Sequence, residues 1–167
     1  MTSHLTYISL VIIGCAAIDD LCTRKVHNSL LGILAFASLL AVIYFRNGSG
    51  LIESALIESA LGFLAGFAFY LPLAWFGIVG GGDLKLLAVS GILLGPTPVI
   101  IVGFFALFWG AIMGIIQVLL NRQGIDFARN IFKIAKLQTV EKSQLHTIPF
   151  AAAIFLGALT RITWSRL

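Results

Sequence analysis

Long apolar runs recur along nearly the whole chain, separated by short polar or Gly/Pro-rich breaks. A helix needs about 20 mostly apolar residues to cross a bilayer. Inside lipid every backbone N–H and C=O must be satisfied within the protein, so such runs are restricted to helices or closed barrels. The runs occupy approximately 5–18, 29–45, 55–79, 84–94, 99–120 and 148–163. Hydrophobic residues make up 59% of the chain and charged residues 11%, against roughly 25% charged in soluble domains. Mean hydropathy is +1.03. The chain therefore reads as an all-α integral membrane protein of about six transmembrane helices. It is expected to form a single transmembrane domain over 1–167.

The breaks carry the information. The first run is short, and completing it takes residues 1–4 and helical continuation past Asp19 and Asp20, which puts both acids in the last turn. Residues 51–61 carry Glu53 and Glu58 and are expected to lead in along the interface before a third span over about 55–79, which Pro72 can kink. The run 84–94 is about two-thirds of a span and is expected to start inside the membrane. Residues 95–98, Gly-Pro-Thr-Pro, form a turn by composition. Gly62 and Gly66, and the series Ala106, Gly110 and Gly114, are small-residue stripes that let helices approach closely. In the polar stretch 121–147, Phe127, Ala128, Ile131, Phe132, Ile134 and Ala135 share one helical arc, and Arg129, Lys133 and Lys136 the other. This predicts an amphipathic helix in the cytoplasmic interface, held by anionic lipid; a docking surface for a partner is the alternative.

Gly80-Gly81-Gly82-Asp83 stands out, because it sets an ionisable group between two apolar runs. An acid at membrane depth is a functional-site hypothesis by default. The glycines accept φ > 0 and need no Cβ clearance, so the backbone can break there and admit a close partner. Topology tests whether Asp20 can meet Asp83. Of the eleven Lys and Arg, eight (Arg24, Lys25, Lys85, Arg122, Arg129, Lys133, Lys136, Lys142) fall on one side of a six-span arrangement. Only Arg46, Arg161 and Arg166 fall on the other. The positive-inside rule makes the first side cytoplasmic and puts both termini outside. Asp20 and Asp83 then share the cytoplasmic side.

Two carboxylates in close approach share a proton. One can then take a proton from water as it attacks a peptide carbonyl, while the other donates to the carbonyl oxygen. A purely structural reading stands beside this: Asp83 caps the following helix, and Asp20 pairs with Arg24 or Lys25 at an ordinary helical ion-pair spacing. Spacing alone leaves both open. Cys15 and Cys22 form no C-x-x-C pair and read as small apolar residues. His4, His27 and His146 offer no metal-ligand spacing. No cofactor, metal or nucleic-acid motif is visible.

The residues 80–86, Gly-Gly-Gly-Asp-Leu-Lys-Leu, resemble the Gly-x-Gly-Asp motif of the type IV prepilin peptidases. The stretch Asp20-Leu21-Cys22-Thr23-Arg24-Lys25-Val26-His27-Asn28 resembles that family's first motif, with His27 where a Pro is usual. His146-Thr147-Ile148-Pro149-Phe150 resembles its closing Pro-aromatic segment. Within the family the chain looks most like the short branch serving Flp/Tad-type tight-adherence pili. The resemblance implies an aspartic endopeptidase of the bacterial inner membrane that removes the short basic leader of a prepilin at the cytoplasmic face. Asp20 and Asp83 would be catalytic, with Gly80, Gly82 and Lys85 in support and Lys85 holding Asp83 or a substrate carbonyl. The implied partners are the prepilin with its own apolar helix, membrane lipid and pilus assembly machinery. The larger relatives carry an N-terminal portion with zinc-binding cysteines and also N-methylate the pilin, so methylation is not expected here. Asp19 is out of register, about 100° around the helix from Asp20. Two alternatives remain: an archaeal preflagellin-type peptidase, and a non-enzymatic assembly or transport subunit whose aspartates bind protons or cations.

Overall fold

A computed structural model describes residues 2–23, 27–46, 52–120 and 150–164. The described residues form six α-helices: α1 (Thr2–Thr23), α2 (Asn28–Arg46), α3 (Ile52–Trp75), α4 (Gly81–Leu94), α5 (Pro96–Leu120) and α6 (Phe150–Trp164). Stretches of α1, α2, α3 and α5 are long and apolar enough to cross a bilayer, and α6 is a shorter apolar helix. The chain is a multi-pass membrane protein. The anticipated amphipathic helix at 121–147 lies outside the described residues, as do Arg24, Lys25, His146 and Pro149.

The bundle is built around α4. Its sequence, Gly-Gly-Asp-Leu-Lys-Leu-Leu-Ala-Val-Ser-Gly-Ile-Leu-Leu, is apolar on every side after Lys85, the pattern of a helix enclosed all round. Residues from Leu86 to Leu94 are buried throughout, and α4 packs against each of the other five helices. Glycines permit the tightest of these contacts. The α3 backbone at Gly62 lies directly against the α4 backbone at Gly91, and a Cβ on either would collide with the other's carbonyl oxygen. One turn along, a Cβ at Gly66 would stand 2.8 Å from the Leu87 carbonyl oxygen. The second stripe works the same way between α5 and α6. Ala106 packs on Gly157, and a Cβ at Gly110 would meet the Phe150 ring at 2.6 Å.

Two sequence expectations for α3 are corrected. Residues 52–61 do not run along the interface; they are the first turns of one unbroken helix ending at Trp75. Ala55, Ser59, Gly62, Gly66 and Tyr70 form its single buried face, so the early turns belong to the packing surface. Glu58 is accommodated because Arg46 of α2 reaches it at 3.4 Å. The far end also stops four residues short of the expected 79. Gly77 takes φ 73°, and the Ile78 N–H bonds to the Leu73 carbonyl (2.9 Å) while the Gly77 N–H bonds to that of Ala74 (3.0 Å). This is a Schellman C-cap, and it turns the chain toward α4. At the other end of α4, Gly95 (φ 82°) closes the helix, and Pro96 opens α5 at the first helical position, where a missing N–H costs nothing.

Candidate active site

Asp20 lies on the last turn of α1, three residues before its end at Thr23, and Asp83 on the first turn of α4. Because α1 runs toward this end of the bundle and α4 starts from it, 63 positions of sequence collapse into one locality. α1 and α4 pack directly against each other, so Asp20 and Asp83 come to the same end of the bundle.

Each is positioned by main chain. Asp20 is 6% exposed, and its Oδ2 accepts the Ala151 N–H at 3.1 Å. That N–H belongs to the first turn of α6, whose opening N–H groups have no partner within the helix. Asp20 thus ties the end of α1 to the start of α6. Asp83 is the third residue of α4, counted from the N-cap Gly80. From that position a carboxylate can reach back to the N-cap N–H, half of a capping box, and the Asp83 side chain does fold onto Gly80. A Cβ at Gly80 would stand 2.8 Å from Asp83 Oδ2. A side chain at this position would push the Asp83 carboxylate aside. The Gly80 φ of −70° is ordinary, and the left-handed residue of this connection is Gly77, which the motif does not include. Gly82 lies within the first turn, partly covered.

Lys85 points elsewhere. Its Nζ donates to Asn28 Oδ1 at 3.0 Å, joining the start of α4 to the start of α2. Asp19 is separated from Asp20 as its helical angle requires. Its Oδ2 takes both the backbone N–H of His27 (3.3 Å) and His27 Nδ1 (3.1 Å), spanning the polar connection from α1 to α2. Among the described residues no Lys or Arg forms an ion pair with Asp20 or Asp83. Nor do three His, Cys, Asp or Glu side chains group there as metal ligands.

Tyr70 is a neighbour the sequence analysis missed. It is fully buried, donates its hydroxyl to the Gly103 carbonyl (3.2 Å), and contacts the Phe150 ring next to Ala151. It is also within electrostatic range of Asp83. Its signal was present, since Tyr70 continues the i, i+4 series of Gly62 and Gly66 onto the packed face of α3.

Comparison with known proteins places this geometry. A profile of the type IV leader peptidase family matches residues 6–115, a segment containing both aspartates. The chain belongs to that family. It is also 31% identical over 155 residues to the Bacillus subtilis (strain 168) protein named prepilin leader peptidase/N-methyltransferase. That alignment covers 93% of this chain and 52% of the relative, so the chain spans about half the length of the protein it matches. No solved structure matches it.

Proposed function

We propose that this chain is a membrane-embedded aspartic endopeptidase that removes the basic leader of a Flp/type IV-type prepilin, with Asp20 and Asp83 as its dyad. The observation that carries the proposal is the convergence of those two carboxylates, from α1 and α4, at one end of the bundle. Membership of a leader peptidase family supports it. In a six-span topology, eight of the eleven Lys and Arg fall on the same side as both aspartates. That end is assigned to the cytoplasmic side of the bacterial inner membrane and the termini to the outside.

In the reaction one ionised carboxylate accepts a proton from water, whose oxygen attacks the carbonyl carbon of the scissile peptide. The protonated partner gives its proton to the carbonyl oxygen, producing a neutral gem-diol. Collapse breaks the C–N bond and passes a proton to the leaving amine. Main-chain donors hold both carboxylates, and among the described residues no Lys or Arg pairs with either, which suits groups that exchange protons. The Lys85–Asn28 bond fixes the start of α4, and so the height of Asp83. The prepilin's apolar helix lies in the bilayer beside the bundle. Paired carboxylates supply hydrolysis, and the proposal is confined to that activity.

The test is co-expression of a matched prepilin with wild type, Asp20→Asn and Asp83→Asn, read as a mobility shift with membrane abundance checked. The proposal expects cleavage with wild type alone. Cleavage surviving either substitution refutes the dyad, and an ion-binding assembly subunit becomes the better reading.

A further inference from the structure

The opposite end of the bundle holds a cavity of about 230 Å³ lined by all six helices. Its polar wall is made by Thr6, Arg46, Glu58, Ser59 and Arg161, and the turn at Gly95 closes one side. Two guanidiniums and one carboxylate leave a surplus positive charge. Glu58 is engaged by Arg46 at 3.4 Å. Arg161 is half-buried, and no carboxylate among the described residues lies within ion-pair distance of it. A guanidinium in a partly desolvated wall calls for an anion, and its planar fork matches phosphate oxygens two at a time.

The level of the cavity narrows the source. Tyr44 is 79% exposed and Trp164 73% exposed at this end, as aromatic side chains are at a membrane–water boundary. Arg161 lies about one helical turn inward of Trp164 on α6, a level that suits lipid phosphates beside an aromatic belt. The volume is below the roughly 300 Å³ at which pockets begin to engulf drug-sized ligands. It suits an ionic head whose tails stay outside.

We propose that this cavity binds a phosphate group, with Arg161 as the principal ligand and Arg46 as the second cation. The phosphate would come from an anionic phospholipid of that leaflet or from free phosphate.

The test uses the full chain in a neutral maltoside detergent, with bound lipid counted by native mass spectrometry and thermal unfolding followed in parallel. The probes are phosphatidylglycerol, phosphatidylcholine and sodium phosphate. Phosphatidylglycerol is expected to bind as one preferred copy and raise the unfolding midpoint, with phosphatidylcholine clearly weaker. Arg161→Gln is expected to weaken phosphatidylglycerol roughly tenfold or more, the worth of one charge-assisted hydrogen bond. Protection by sodium phosphate that Arg161→Gln abolishes supports the site with free phosphate as its source. Equal binding of the two lipids with no protection by sodium phosphate overturns the proposal, as does affinity unchanged in Arg161→Gln. If that variant does not fold, wild type decides. Its preference for phosphatidylglycerol must shrink as sodium chloride is raised, and a salt-independent preference overturns the phosphate contact.

Discussion

The two ends of the bundle treat charge in opposite ways. At the aspartate end Asp20 and Asp83 are held by backbone groups of α6 and α4, and the nearby Lys85 bonds a neutral amide. At the far end charge faces charge, Arg46 against Glu58, with Arg161 beside the same cavity. A guanidinium against a carboxylate fixes its ionisation, which suits an anchoring or binding surface. Main-chain donors give geometry without supplying a counter-charge, which suits groups that must gain and lose protons. Among the described residues no Lys or Arg pairs with either Asp20 or Asp83.

This contrast can be broken in several places. The largest effect is expected at the dyad: Asp20→Asn or Asp83→Asn should lower prepilin cleavage by roughly 10²- to 10⁴-fold or more, the usual worth of a general acid or base. Retained cleavage at normal abundance would break the distinction between the ends. Next comes the packing that holds α4 in place. Gly91→Ala puts a methyl into the Gly62 backbone, and overpacking of this kind costs about 1–3 kcal/mol. A lower unfolding midpoint in detergent is the expected readout, and an unchanged one would show that the α3–α4 contact has slack. Smaller again is the Lys85–Asn28 link. Lys85→Met and Asn28→Ala should each reduce cleavage about 3- to 10-fold, for one lost hydrogen bond. The double variant should be no worse than either single one; additive losses would mean that the two residues act separately. The smallest effect is expected at Asp19, whose partner is His27. Asp19→Asn should leave cleavage within about twofold, and a loss as deep as that of Asp20→Asn would shift the site's register by one residue.

Much of this was legible in the sequence. Apolar run lengths gave the helices, and counting spans brought Asp20 and Asp83 to the same end before any motif was considered. The stripe Ala106–Gly110 and the shortness of 84–94 also carried over, whereas the enclosure of that helix by the five other described helices was not foreseen. What escaped was non-local. The Asp20–Ala151 bond joins residues 131 apart, and nothing in either segment names the other. The reach of Arg46 to Glu58 let two acidic residues ride on a spanning helix, against the expectation of an interfacial lead-in. The end of α3 was misplaced for a different reason. Val79 and Ile78 are as apolar as the helix before them, so hydropathy runs on, while Gly77 ends the helix through backbone conformation.

The brevity of α4 has a mechanical consequence. Its 14 residues rise about 21 Å at 1.5 Å each, against a hydrocarbon slab about 30 Å thick. The central helix of the bundle is thus about two turns shorter than the slab, and the five helices around it, not lipid, make up the difference. A helix this short leaves at least one of its ends, Asp83 or the Gly95 turn, below the membrane surface. The depth of the Asp83 end is therefore set by the bilayer: thinner membranes bring water closer to it, and thicker ones bury it deeper.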